Sequence, residues 1–388
     1  MIKVLSVLGT RPEAIKLAPV ILELERHSEQ IASRVCATAQ HRQLLDQTLA
    51  LFRIKPDYDL DVMRDSQSPT QVAAAVLYGL EAILRAEQPD WVLVQGDTTT
   101  VMAASLAACY AKTRIGHIEA GLRTFDRRNP FPEEINRRLV GAVADLHFAP
   151  TARAKENLLR EGVPNSTIFV TGNPVIDALK MMTEAPYEPD TGPLRDVPWS
   201  KRLILVTAHR RENFGLPLVQ ICLALQDIAS AYGGDIHIVC PVHPNPNVRE
   251  VVYRMLGDVA GIILTEPLDY LSLIYLMKRT VLVLTDSGGL QEEAPSLGKP
   301  VLLLRNVTER PEAVEAGTVR IIGTDRSAIL KWARLLLDDS REYSRMARSV
   351  NPYGDGHAAE RIVKALLAGG SLDESRRCDG TGSDGETS

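Results

Sequence analysis

Polar side chains able to do chemistry recur at one kind of place in this sequence, directly after short apolar runs. Ile2 to Leu8 ends in Gly9-Thr10-Arg11-Pro12-Glu13, with Lys16 one turn into the segment that follows. Trp91 to Gln95 leads into Gly96-Asp97-Thr98-Thr99-Thr100, and the run from Ile115 delivers Glu119. Later, Leu203 to Thr207 leads to His209-Arg210-Arg211-Glu212-Asn213, and Val281 to Thr285 to Asp286-Ser287-Gly288-Gly289. In open α/β sheets ligands bind beyond the carboxyl ends of the strands, so these residues are the ones a substrate would meet. Carboxylates there can move protons, and cations there can hold an anion. Ser287-Gly288-Gly289 ahead of a helix offers free amides and a helix dipole to a phosphate. Glu292 and Glu293, one turn on, suit ribose hydroxyls or simply complement the dipole. The set fits a binder of a phosphorylated or nucleotide-linked metabolite and does not by itself name a reaction.

The missing motifs narrow the chemistry. No G-x-G-x-x-G follows the first strand, and neither G-x-x-x-x-G-K-[ST] nor H-E-x-x-H occurs. The five cysteines (36, 109, 222, 240 and 378) form no C-x-x-C pair. No cofactor and no metal are therefore expected. The net charge of −5 and 5% aromatic content disfavour nucleic acid as the main partner. No apolar run approaches the length of a membrane span, and no signal peptide is evident, so a cytoplasmic, membrane-free protein is expected.

The elements that must position these groups are strands alternating with helices. Pro12 opens a helix carried on by Ile15, Leu17, Val20, Ile21 and Leu24. Buried strands are expected at Val35 to Thr38, Leu146 to Ala149 and Ile168 to Thr171, and after residue 203 at Ile236 to Cys240, Ile262 to Leu264 and Val301 to Leu304. Val92 to Asp97 and Val281 to Asp286 echo one another, which favours an α/β fold of two Rossmann-like domains facing a cleft. The expected boundaries are 1–171 and 172–356, a helix near 357–368 returning to the first domain, and an unstructured tail at 369–388. Phe131-Pro132-Glu133-Glu134 reads as a helix start whose acids complement the dipole. Arg123, Arg127, Arg128, Arg137 and Arg138 around it read as solvated surface charges.

Taken together, several segments resemble the non-hydrolysing UDP-N-acetylglucosamine 2-epimerases. They are Gly9 to Lys16, Thr38-Ala39-Gln40-His41-Arg42, Gly96 to Thr100, His117-Ile118-Glu119-Ala120-Gly121-Leu122-Arg123, and Pro132-Glu133-Glu134-x-Asn136-Arg137. Gly172-Asn173, His209 to Glu212, Asp286 to Glu293, Thr308-Glu309-Arg310-Pro311-Glu312 and Asn351 to Gly356 complete the series, in order over almost the whole chain. The resemblance implies a glycosyltransferase-B-like fold, a homodimer, and reversible interconversion of UDP-N-acetylglucosamine and UDP-N-acetylmannosamine for bacterial surface polysaccharide. In that chemistry UDP leaves to give a 2-acetamidoglucal and then re-adds, so no hydride acceptor is needed. By position, Asp97, Glu119 and Glu133 are implied acid–base groups, with Lys16 and His209 beside them. Arg11, Ser287, Gly288, Gly289, Glu293 and Arg310 are implied to hold the UDP-sugar. Gln40, Gln43, Glu134, Arg210 and His243 match a regulatory second UDP-sugar site of some relatives, where Ser66 replaces an arginine. An epimerase of another UDP-2-acetamido sugar and a transferase of the same fold are the alternatives.

Overall fold

The computed structural model describes residues 1–38, 42–62, 64 and 67–378. The chain divides into two compact units, Met1–Ala178 with the segment from Gly354 on, and Leu179–Tyr353.

The first unit runs β1 (Ile2–Leu8), α1 (Arg11–Arg26), β2 (Ile31–Ala37), α2 (Arg42–Leu51), β3 (Tyr58–Asp59), α3 (Pro69–Glu87), β4 (Trp91–Gln95) and α4 (Thr99–Tyr110). It continues with β5 (Arg114–Ile118), α5 (Glu133–Val143), β6 (Leu146–Ala149), α6 (Ala152–Arg160) and β7 (Ile168–Val170). The seven strands pair in parallel in the order β3-β2-β1-β4-β5-β6-β7. Leu5, Val7, Val92, Val94 and Ile115 are buried beneath Val76 and Leu80 of α3 and Val101 and Ala104 of α4. Strands covered on both faces read as continuous apolar runs, which is why they stood out in the sequence.

Helix α7 (Pro174–Glu184) leads into the second unit. There follow β8 (Arg202–Thr207), α8 (Leu216–Tyr232), β9 (Ile236–Pro241), α9 (Pro246–Leu256), β10 (Ile262–Thr265), α10 (Tyr270–Arg279) and β11 (Thr280–Thr285). Then come α11 (Gly288–Ser296), β12 (Val301–Leu303), α12 (Pro311–Glu315), β13 (Val319–Ile321), α13 (Arg326–Asp338) and α14 (Ser340–Ala347). All six strands are parallel, in the order β10-β9-β8-β11-β12-β13. Ile204, Ile238, Leu282 and Leu302 are buried against Ile221 and Leu225 of α8 and Ile329 of α13. Each sheet reverses its strand order once, between β1 and β4 and between β8 and β11, where a doubly wound sheet opens a crevice for ligands.

The last helix, α15 (Ala358–Cys378), packs on α1 in the first unit. It runs ten residues past the expected end of the returning helix, to Cys378.

Two histidines lie inside the first sheet. His117 of β5 pairs in register with His147 of β6, and both are about 1% exposed. His117 Nε2 donates to the Gly96 carbonyl at 2.7 Å, which fixes its tautomer, while the Nδ1 atoms of both rings lack a hydrogen-bond partner. Burial pushes their pKa values down to about 3 for His117 and about 4 for His147. Above the ordinary value of 6.5 both rings are neutral in folded and unfolded chains alike, so stability is flat. Below it the unfolded chain takes up protons that the buried rings refuse, and stability falls until the folded values are reached. At pH 5 the loss is about 2 kcal/mol per ring. Thermal melts at pH 7 and pH 5 should show this drop, and His147→Asn should show roughly half of it. A variant as acid-sensitive as the wild type would count against the assignment.

Candidate active site

The carboxyl edge of the first sheet begins with the turn after β1. Thr10 caps α1 in a reciprocal capping box, and Glu13 Oε2 accepts the backbone N–H groups of Gly9 at 2.6 Å and Thr10 at 3.2 Å. A Cβ on Gly9 would stand 2.5 Å from Thr38 Oγ1 and 2.7 Å from Thr100 Oγ1, so only glycine fits there. Glu13 is buried, and burial raises its pKa against the hydrogen bonds it accepts. Its work is to fix the start of α1, which sets Arg11 at the first helical position and Lys16 farther along the helix.

Lys16 Nζ lies 2.5 Å from Glu119 Oε2, and the Gln95 amide donates to the same oxygen. Glu119 follows β5 in the left-handed region, with φ at 65°. For a non-glycine residue that conformation costs about 1–3 kcal/mol and is typical of functional turns. Asp97 leaves the neighbouring strand, β4, through Gly96 at φ 85°. Its carbonyl accepts from Asn136 Nδ2 at 2.8 Å, and its Oδ2 from Arg137 Nε at 2.9 Å, with Arg137 Nη2 at 2.6 Å. Glu133 is the first residue of α5 and is half-buried.

Two readings of this segment are corrected. Arg123 and Arg137 are buried rather than solvated: Arg123 forms a forked pair with Glu161 at 2.8 and 2.6 Å, and Arg137 joins Asp97 to Glu134. Arg127 and Arg128 are exposed as expected. Glu134 is fully buried and accepts N–H groups from Thr124 and Phe125 as well as Arg137, so it binds a loop rather than only complementing its helix.

The second sheet repeats the arrangement with a different outcome. Asp286, buried at the end of β11, accepts from the N–H groups of His209 and Arg210, each at 2.8 Å, and from Asn213 Nδ2 at 2.9 Å, all on Oδ2. His209 Nδ1 stands 3.2 Å from Oδ1, off hydrogen-bond alignment. Burial lowers the His209 pKa against the pull of Asp286, and its ring stacks on His243 at 5.4 Å. Arg210 Nε donates to the Asp286 carbonyl at 3.3 Å. At the start of α11, a Cβ on Gly288 would meet Arg310 Nη1 at 2.7 Å, so the glycine admits the guanidinium. Arg310 is paired with Glu292 and with Glu309, and Arg305 joins Glu309 to Glu212. Glu309 is half-buried; desolvation opposes its charge, yet Arg310 and Arg305 overcome that and hold its pKa down at about 2. Glu293 Oε1 instead accepts from Tyr270 at 2.7 Å, and the ideal Cβ of Gly289 would be 3.4 Å from Glu293 Oε2.

Gln95, Asn136, Arg137, Tyr270 and Arg305 were not foreseen as parts of these clusters. Gln40 and Ser66 lie outside the described residues, as does the side chain of Gln43. Among the described residues no group of three or more His, Cys, Asp or Glu side chains could hold a metal ion.

The family described as UDP-N-acetylglucosamine 2-epimerase matches residues 22–367. The chain belongs to that family. UDP-N-acetylglucosamine 2-epimerase of Escherichia coli K12 is 53% identical over 372 residues, 94% of this chain and 98% of that protein. The crystal structure of UDP-GlcNAc 2-epimerase from Neisseria meningitidis bound to UDP-GlcNAc shares 48% identity at a TM-score of 0.86, over 95% of this chain and 100% of that one. The enzyme of Methanocaldococcus jannaschii in complex with UDP-GlcNAc and UDP shares 35% identity at a TM-score of 0.79, with coverage of 95% and 100%. The epimerase fold is glycosyltransferase-B-like, with two Rossmann-like domains, and the two parallel sheets of this chain have that form.

The geometry separates positioning from chemistry at the first turn. Glu13→Ala removes the acceptor of two buried N–H groups and half of a capping box, and should cost about 1–3 kcal/mol of stability. Denaturant melts would show it; an unchanged midpoint would deny Glu13 its capping role.

Proposed function

We propose that the protein interconverts UDP-N-acetylglucosamine and UDP-N-acetylmannosamine by removing the C2 proton, expelling UDP to leave a 2-acetamidoglucal, and returning UDP with a proton on the other face. The observation that carries the mechanism is the pair of adjacent strand ends, β4 and β5, that present Asp97 and Glu119, with Lys16 on Glu119. The C2 proton is barely acidic, so a carboxylate must be held in reach of it. Inversion needs such groups on two faces, for which Asp97, Glu119 and Glu133 are the candidates. Arg11 and Lys16 would stabilise charge as the bond to UDP breaks.

In the second unit, the start of α11 at Ser287, Gly288 and Gly289 would receive the diphosphate through amides and dipole. His209 would contact the diphosphate or share in proton transfer, and Arg310 would line the sugar–phosphate. Glu293 is the better candidate for the ribose hydroxyls, because Glu292 is engaged by Arg310. Arg210 and His243, both beside His209, remain candidates for a regulatory UDP-sugar.

Incubation with UDP-N-acetylglucosamine in D₂O, without metal or nicotinamide, tests the reaction by proton NMR. The manno isomer should appear with deuterium at C2, and isomer without deuterium would overturn the return of a solvent-exchanged proton by a separate group on the other face. Asp97→Asn, Glu119→Gln and Glu133→Gln should each cut turnover by roughly 10²–10⁴ where the residue carries proton transfer. Full activity in all three would sink the acid–base roles.

The protein is further proposed to act in the cytoplasm, in the supply of surface polysaccharide; no helix among the described residues is long and apolar enough to cross a membrane. It is also proposed to be a homodimer. The outward face of α3 exposes Ala74, Tyr78 and Ala82, where a helix facing water would be polar. Tyr78 and Tyr110 are 79% and 75% exposed and line a groove of about 990 Å³. That groove reaches residues preceding β4 and β5, the opposite edge from the candidate site. Glu81 and Arg85, paired with each other at 2.9 Å, give the face both charge signs, and a twofold copy would meet them with the same pair reversed. Tyr78→Glu should shift the mass measured by light scattering from dimer to monomer; a dimer unchanged by it would place the interface elsewhere.

A further inference from the structure

We propose that Arg137 is a positioning residue that fixes the spacing of two acid–base carboxylates, Asp97 and Glu133, with Glu134 as its anchor; this rests on the epimerase reading above. Arg127 and Arg128 lie ten residues or fewer before it and face solvent, whereas the Arg137 side chain is 8% exposed. A buried guanidinium is retained only where partners compensate it, so its partners show its use. They form a line of rising exposure: Glu134 at 0%, Arg137 at 8%, Asp97 at 26%. The charge at the solvent end is the one a substrate can reach.

The contacts are directional. Nε and Nη2 both meet Oδ2 of Asp97, at 2.9 and 2.6 Å, so the clamp does not take up Oδ1. Nη1 turns the other way, 3.2 Å from Glu134 Oε2. Glu134 also accepts from Thr124 and Phe125 at 3.0 and 3.1 Å, and Phe125 is held at φ 63°. Next to Arg137, Asn136 Nδ2 holds the Asp97 carbonyl at 2.8 Å. One helix thus grips both the backbone and the side chain of the residue two beyond β4. That helix begins at Glu133, so the grip sets where Glu133 stands relative to Asp97. Burial opposes the charge on Arg137, but Asp97 and Glu134 outweigh it and raise its pKa, so the strut stays cationic. Inversion at one carbon between groups on two elements tolerates little error, since a misplacement of about 1 Å can cost 10²-fold in rate.

The test compares Arg137→Ala and Arg137→Lys with wild type for kcat, C2–H exchange in D₂O and UDP affinity by calorimetry. Arg137→Ala should lose about 10²-fold in kcat and in exchange together, with UDP affinity changed less than about threefold. Added guanidinium chloride at millimolar levels should restore about tenfold of the kcat of Arg137→Ala and none of wild type. Arg137→Lys keeps the charge and most of the volume but cannot place two N–H groups on one oxygen, and should fall about tenfold. If Arg137→Ala does not fold, Arg137→Lys decides: a native melt with reduced kcat supports the strut, and full kcat overturns it. A folded Arg137→Ala with full kcat, or losses that follow UDP affinity and ignore guanidinium, also overturns it. Wild type that produces no isomer overturns the reaction itself, an outcome separate from an active wild type matched by an active Arg137→Ala.

Discussion

Every strand of both sheets lies parallel to its neighbours, and most of what else the chain does follows from that. Parallel pairing requires a crossover after each strand, so helices cover both faces and leave no polar face within the sheet. All strands then end on one edge. The candidate site side chains are gathered in the turns that leave the strands and the helices that follow them. The strand-order reversals, between β1 and β4 and between β8 and β11, part the crossovers and leave room for a ligand.

Concentrating charge on a partly buried edge creates a second constraint: each ionised group needs a partner or its desolvation goes uncompensated. Glu119 has Lys16 and Gln95, Asp286 has three N–H donors, and Glu309 sits between Arg305 and Arg310. These pairs are weak evidence of stability, since charge attraction and lost hydration nearly offset one another. What they supply is orientation. A carboxylate held by defined donors keeps its place between encounters with substrate, and a preorganised site avoids reorganising during the reaction.

Local patterns reveal more of this protein than its long-range contacts. The buried strands were legible because two covered faces force an apolar run, and α1 because Thr10, Pro12 and Glu13 announce its start. The outer strands β3 and β13 were not: β3 has two residues, and Arg320 breaks the apolar run of β13, whereas the equally short β7 and β12 are apolar throughout. β2 begins at Ile31, four residues before the expected strand, because Ser33 and Arg34 interrupt its apolar run while β1 still pairs with them. The ends of the strands pointed to Asp97 and Glu119, but not to what holds them. Arg137 is 40 residues from Asp97 in sequence, and Tyr270 is 23 from Glu293. Nothing in the spelling of Arg127-Arg128 and Arg137-Arg138 distinguishes solvated arginines from a buried one. Only the packing of α5 beside the turn after β4 does that.

The two halves make the point most sharply where they echo each other. Asp97 and Asp286 follow equivalent strands, each immediately beyond its sheet's reversal of order. Asp286 is fully buried and turns one oxygen inward to three N–H donors, two of them from the backbone that carries His209 and Arg210. It is a brace for the turn after β8. Asp97 keeps a quarter of its side chain exposed and is gripped through Oδ2 by a single guanidinium. The extra residue before it, Gly96 at φ 85°, lets the chain leave the sheet before the carboxylate is presented. One topological position has thus been given two uses. The difference lies in how many donors reach the carboxylate and how far it stands from the end of the strand, so the echo in the sequence identifies a shared fold rather than a shared role.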